Sequence, residues 1–117
     1  MSSSTILLVE DNFSDVELTQ RALKKNAISN NLVVVGDGQE ALDYLFCTGT
    51  YSARDITDIP MLVLLDLKLP RIGGLEVLQH IRADSRTRRI PVVILTSSTA
   101  EQDIAAGYDR GTNSYIK

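Results

Sequence analysis

The sequence predicts an α/β protein built on a doubly wound, five-stranded parallel sheet of strand order 2-1-3-4-5. Three observations carry this. Short apolar runs of strand length, Thr5–Val9, Leu32–Val35, Met61–Leu65 and Ile90–Leu95, recur between stretches of helical period. The central run, Met61 to Leu65, lacks the polar alternation of a half-buried strand, so it reads as a strand covered on both faces. Pro60 and Pro70 on either side of it count against a buried helix. Strands that alternate with helices imply right-handed crossovers, and hence a parallel sheet with helices on both faces.

Taken in order, Thr5–Val9 is the first strand and ends in acid, Glu10-Asp11-Asn12. Ser14 with Glu17 has capping-box spacing, which predicts a helix from about Asp15 to Asn26 with Val16, Leu23 and Ala27 inward. Leu32–Val35 is the second strand, closed by Gly36-Asp37-Gly38. Asp37 with Glu40 can cap a helix through Ala41, Leu42, Leu45 and Phe46. Cys47–Ile59 reads as a surface loop with an extra helical turn. The third strand runs into Asp66, and the turn containing Pro70, Gly73 and Gly74 leads to a helix ending near Ala83, with Leu75, Leu78 and Ile81 on one face. Arg82, Arg86, Arg88 and Arg89 read as a solvated helix end that complements the dipole. Ile90–Leu95 is the fourth strand. Ser98 and Glu101 offer a capping box for a helix through Ile104 to Tyr108, and Ser114 to Lys117 begins a fifth strand. His80 is expected on a helix surface and Cys47 packed at a helix end.

At 117 residues the chain is expected to be one domain, 1–117, able to bury about 65% of its unfolded surface. A net charge of -3 argues against nucleic acid or an anionic membrane as the main partner. No apolar run approaches the ~20 residues of a membrane span, and Met1-Ser2-Ser3-Ser4 lacks the basic region of a signal peptide. The single cysteine excludes an internal disulfide and fits a reducing cytoplasm. With one Cys and one His there is little to build a zinc site, which leaves carboxylate chemistry.

That chemistry has a place. In the order 2-1-3-4-5 the first and third strands are neighbours, and the ligand crevice of such a sheet lies at their carboxyl ends. Glu10, Asp11 and Asp66 would converge there. Asp66 alone could simply cap a turn, and the acids together could merely solubilise strand ends. Three close like charges, however, cannot all stay ionised uncompensated, and a hard divalent cation such as Mg²⁺ suits a site of few carboxylates with room for a phosphate oxygen. Thr96, last in the fourth apolar run, can donate to an anion held at Asp66, or act as a cap for the next helix.

Glu10-Asp11, Asp66 with Leu69-Pro70 and Gly73-Gly74, Thr96-Ser97 and Asn113-Ser114-Tyr115-Ile116 together resemble the receiver domain of two-component response regulators, across the whole chain. The intervals from Asp66 to Thr96 and from Thr96 to Tyr115 agree as well. The long Cys47–Ile59 loop and the Leu-Pro-Arg-Ile-Gly-Gly turn look like the single-domain regulators that pair with phytochrome-type sensor kinases. The resemblance implies a flavodoxin-like fold and a cytoplasmic phosphorelay switch, not an enzyme beyond slow self-phosphorylation and self-dephosphorylation. It implies that Asp66 accepts a phosphoryl group from a histidine kinase. It also implies that Asp11, Asp66 and the Lys68 carbonyl hold Mg²⁺ (or Mn²⁺), with Glu10 acting mostly through water. Thr96 would bond the phosphoryl oxygen, Tyr115 would swing inward as the switch aromatic, and Lys68 and Ser98 would tune phosphoryl loss. For Tyr115 an ordinary half-buried strand aromatic is the plainer account.

One departure stands out. The family's phosphate-binding lysine lies three residues after the switch aromatic, and Lys117 lies only two after Tyr115, on the other face of a strand. The chain is expected to stop within or just after its fifth strand, with the final helix absent. That would leave the flanks of the first and last strands partly open and favour a homodimer or a recruited neighbour. Two rivals share these features. A flavodoxin-like electron carrier would need a hydroxyl- and glycine-rich phosphate loop where Glu10-Asp11-Asn12 stands. A receiver-like adaptor that never takes phosphate would fit the missing lysine.

Overall fold

The computed structural model describes residues 5–25, 31–69 and 72–95 and the backbone of 112–116. The expected helix from Ser98 to Tyr108 lies outside these residues. Five parallel strands form one sheet: β1 (Thr5–Val9), β2 (Asn31–Val35), β3 (Leu62–Asp66), β4 (Val92–Leu95) and β5 (Thr112–Ile116), in the order β2-β1-β3-β4-β5. This is the predicted topology.

The missing alternation in composition reappears as alternation in destination. Leu7, Val9, Val35, Val63, Leu65, Val92 and Ile94 point into the larger core. Ile6, Leu8 and Leu64, joined by Leu32, Val93 and Leu95, point to the other face. Every second side chain changes face because the strand period is two, so a strand apolar on both sides needs cover on both. Helices α2 (Gly38–Phe46) and α3 (Gly74–Ala83) cover the larger core with Ala41, Tyr44, Leu45, Val77, Leu78 and Ile81. Helix α1 (Phe13–Lys25) covers the smaller one with Val16 and Leu23. Each fully buried Leu or Ile contributes about 1.5–3 kcal/mol, so these two layers hold the strand ends in place.

Three local expectations need correction. Helix α1 begins two residues earlier than the Ser14–Glu17 pair suggested. Asn12 takes the cap position, its Oδ1 accepting from Asp15 N–H at 3.1 Å while its carbonyl accepts from Val16 N–H at 3.0 Å. The buried face of α3 is Gly74, Val77, Leu78 and Ile81, with Leu75 only at its margin, because the i, i+3, i+4 stripe starts one residue earlier. Arg82 is not a merely solvated charge: its Nη1 donates to the carbonyls of Arg88 and Ile90, both at 2.7 Å, and holds the turn that carries the chain into β4. That turn also buries Thr87, whose hydroxyl donates to the Ile81 carbonyl at 2.7 Å. Ile90, expected in the strand, is buried just ahead of it, and Pro91 precedes the first paired residue, Val92.

The α2 cap forms as expected, with Asp37 Oδ1 accepting from Glu40 N–H at 2.8 Å. Cys47–Ile59 is a loop with one 3₁₀ turn, Gly49–Tyr51. His80 is exposed and Cys47 half-buried.

Gly74, unlike its neighbour Gly73, sets how closely the chain approaches itself below the sheet's carboxyl edge. A Cβ on Gly74 would lie 2.3 Å from the Asp66 carbonyl oxygen and 2.5 Å from Leu67 Cα, whereas one on Gly73 would meet nothing within 4 Å. Gly74→Ala is therefore expected to destabilise the protein by roughly 1–3 kcal/mol, the cost of overpacking against backbone that cannot yield. Gly73→Ala, at the N-cap of α3, should cost no more than about 1 kcal/mol when both variants are followed by urea titration.

Candidate phosphoacceptor and metal site

The β1–β3 register pairs Val9 with Leu65, so the next residues, Glu10 and Asp66, leave the sheet side by side. Asp11 follows at the mouth of the turn into α1. One carboxylate oxygen from each of Glu10, Asp11 and Asp66 falls within 4.8 Å of the others. Burial grades across the group: Glu10 is only 5% exposed, Asp66 half-buried and Asp11 exposed.

Local hydrogen bonds orient the acids. Lys68 N–H donates to Asp66 Oδ1 at 2.9 Å, which fixes the carboxylate's rotation and leaves Oδ2 without that donor. Asp11 N–H donates to Glu10 Oε2 at 3.1 Å, and Glu10 N–H donates to the Val35 carbonyl at 3.0 Å, tying the end of β1 to that of β2. Gly74 N–H donates to the Leu67 carbonyl at 3.2 Å and folds the loop after Asp66 back beneath it.

The Glu10 carboxyl is pushed far above the ordinary carboxylate range. Burial is the largest cause, followed by the hydrogen bond and negative charge of Asp66, and then by those of Asp15. Two acids this close share a proton when nothing else neutralises them. Asp15, in the first turn of α1, is a neighbour that sequence reasoning treated only as a helix start. Its signal was its place in the turn directly after the acidic strand end.

The donor set fits a hard cation. Octahedral Mg²⁺ at about 2.1 Å sets its ligand oxygens about 3.0 Å apart when adjacent and about 4.2 Å when opposite, so carboxylates already within 4.8 Å need little movement. An all-oxygen, all-acid group suits Mg²⁺ or Mn²⁺ and offers nothing to a thiophilic metal.

The remaining expected residues are placed unequally. Lys68 is exposed beside Asp66, with its backbone in the turn that follows β3. Tyr115 lies on β5 opposite Ile94, one strand beyond the neighbour of β3. Thr96, Ser98 and Lys117 lie outside the described residues; Leu95, which precedes Thr96, pairs with Asp66.

Comparison with known proteins places the chain in a family. The family model described as the response regulator receiver domain matches residues 6–117. Response regulator Rcp1 of Synechocystis sp. is 41% identical over 111 residues, which is 95% of this chain and 74% of that protein. Among solved structures, the bacteriophytochrome response regulator RtBRR superposes with a TM-score of 0.90 at 49% identity, over 99% of this chain and 69% of that one. The phosphorylated cyanobacterial phytochrome response regulator RcpA gives 0.83 at 43%, over 99% and 81%. The Mn²⁺-bound form of Rcp1 gives 0.83 at 41%, over 97% and 79%.

The raised Glu10 carboxyl sets a pH dependence. In the metal-free protein the unfolded chain releases this proton near pH 4.5 while the folded chain retains it, so stability falls as pH rises from there toward the raised folded value. Glu10→Gln keeps the volume and removes the titration. It should flatten that decline and, without metal, melt higher than wild type at pH 7–8 in a thermal scan.

Proposed function

The chain belongs to the response regulator receiver family, and from that premise we propose that Asp66 is its phosphoacceptor. The protein is a phosphorylation-activated response regulator with a signalling role. The observation that carries the Asp66 assignment is its position: it ends the central strand, half-buried and hydrogen-bonded, with two further acids within 4.8 Å. Glu10 is too buried to meet a donor, and Asp11 lies outside the sheet.

Asp11, Asp66 and the Lys68 carbonyl would hold Mg²⁺, with Mn²⁺ as a substitute, and Glu10 would act mostly through water. When bound, the cation neutralises charge spread over the phosphoryl oxygens of a loose transition state. The protein's own part is positioning. With Oδ1 held by Lys68 N–H, Oδ2 of Asp66 is directed to phosphorus. An O–P bond forms as the N–P bond to the kinase histidine breaks, and the leaving imidazole keeps the electron pair. Thr96 would then bond a phosphoryl oxygen and Tyr115 would follow it inward as the switch aromatic. The donor we propose is a phytochrome-type sensor histidine kinase in the cytoplasm, in keeping with relatives that are phytochrome response regulators. No helix among the described residues is long and apolar enough to cross a membrane. Self-phosphorylation from a small phosphodonor and slow self-dephosphorylation are the only chemistry we propose for the chain alone.

Two measurements test this. Incubation with a small acyl phosphate and Mg²⁺ should add a single base-labile phosphoryl group, and Asp66→Asn should take none; labelling that survives the substitution would place the acceptor elsewhere. Calorimetric titration of the phosphate-free protein should find Mg²⁺ binding in the millimolar range or tighter, weakened about 10-fold or more in Asp11→Asn by the loss of one anionic ligand.

A further inference from the structure

The Cys47–Ile59 loop is long for a connection between a helix and a strand, and it does more than join them. It folds back along α2, so that the Tyr51 hydroxyl reaches the first turn of that helix and donates to Glu40 Oε2 at 2.8 Å. The other oxygen, Glu40 Oε1, accepts from Gly36 N–H at 2.9 Å. A capping box would return this carboxylate to the N-cap's own N–H; here it reaches one residue further back, into the turn between β2 and α2. Glu40 thus has both oxygens engaged, one by the loop and one by the turn.

That turn touches the phosphoacceptor pocket on two sides. The Val35 carbonyl, the last of β2, accepts from Glu10 N–H at 3.0 Å. Gly38, the first residue of α2, sits so close to the loop after Asp66 that a Cβ on it would lie 2.0 Å from the Ile72 carbonyl oxygen. The start of α2 is therefore wedged between the strand end that carries Glu10 and the loop that supports Asp66.

The loop is built to hold Tyr51 still. Tyr51 and Tyr44 meet edge to face with centroids 5.2 Å apart, and the Arg54 guanidinium lies 3.8 Å over the Tyr44 ring. Arg54 also donates to the carbonyls of Tyr44 and Asp58 and to Cys47 Sγ at 3.3 Å, which closes the loop on α2. The Tyr51 phenol is pushed up to about 12, first by burial and then by Glu40, so it remains a hydrogen-bond donor at any physiological pH.

We propose that Glu40 and Tyr51 are positioning residues for phosphoryl transfer: the loop, through Tyr51 and Glu40, holds the β2–α2 turn where it supports Glu10 on one side and the Asp66 loop on the other. Neither residue touches the phosphoryl group or the cation; both act through backbone. The inference rests on the phosphoacceptor reading of Asp66.

The test uses the full 117-residue chain, at a temperature where all variants are folded, with Mn²⁺ affinity and the initial rate of labelling by a small acyl phosphate as readouts. Tyr51→Phe removes one oxygen, and Glu40→Ala removes both contacts. Each should weaken Mn²⁺ binding and slow labelling about two- to tenfold, the fold-change of one net hydrogen bond. Glu40→Gln should match wild type, since its amide oxygen can accept from Gly36 and its amide N–H can donate to the Tyr51 hydroxyl. Thr57→Ala, which removes the bond from the Thr57 hydroxyl to Asp55 Oδ1 within the same loop, should leave both readouts unchanged. Wild-type affinity and rate in Tyr51→Phe would overturn the proposal, as would an equal loss in Thr57→Ala, which would mean that loop stability alone is responsible. Should Glu40→Ala fail to fold, Tyr51→Phe against wild type decides. If wild type neither binds Mn²⁺ nor is labelled on Asp66, the phosphoacceptor reading itself falls, and this inference with it.

Discussion

Three carboxylates share a space less than 4.8 Å across at the carboxyl edge of the sheet, and one of them is almost fully buried. At an effective dielectric constant of ~20, each ionised pair at that separation repels by at least about 3 kcal/mol, a large fraction of the stability of a small domain. The folded chain relieves this in the metal-free state by keeping a proton on Glu10. A divalent cation would relieve it without the proton, and would supply positive charge where the proposed phosphoryl group arrives. The same repulsion that costs stability is what would draw a cation to the three acids.

Such a group can persist only if the backbone beneath it cannot spread. The sheet supplies that rigidity by pairing Val9 with Leu65 in the centre of five strands, with apolar side chains interleaved on both faces. The turns above the strands are held as firmly. Gly74 lets the loop after Asp66 fold under its own carbonyl, and Gly38 lets α2 press against the same loop. Rigid strands with short, tightly closed turns are the general means by which a fold holds a reactive group to within a fraction of an ångström. The unusually long loop after α2 adds a tether from the far end of that helix to its start.

Much of this was legible in the chain. The parallel topology followed from apolar runs that alternate with helical segments, and the site followed from acids falling at the ends of two adjacent strands. The Asp37–Glu40 pair correctly marked the start of α2. The Ser14–Glu17 pair misled, because Asn12 has the same capping chemistry two residues earlier, and spacing alone cannot say which side chain meets the backbone. The arginines in and after the last turn of α3 looked like solvent-facing charge; what composition cannot show is a loop carbonyl that needs a donor, which is where Arg82 goes. Glu40 bonding forward to Tyr51, eleven residues on, and back to Gly36 depends on how the loop folds along α2, and no local pattern encodes that. The proximity of Asp15 to Glu10 did have a signal, its place in the turn directly after β1, which the capping pattern alone does not bring out.

A divalent cation bound beside Glu10 is expected to displace the proton that Glu10 holds. Proton release on metal addition measures this directly. Titrating the protein with Mn²⁺ in weakly buffered solution near neutral pH should acidify the medium in proportion to the metal bound, with affinity rising as pH rises, and Glu10→Gln should bind without releasing that proton. Saturating binding with no proton release by wild type, or affinity independent of pH, would show that the cation's charge does not displace the Glu10 proton and would contradict this reading.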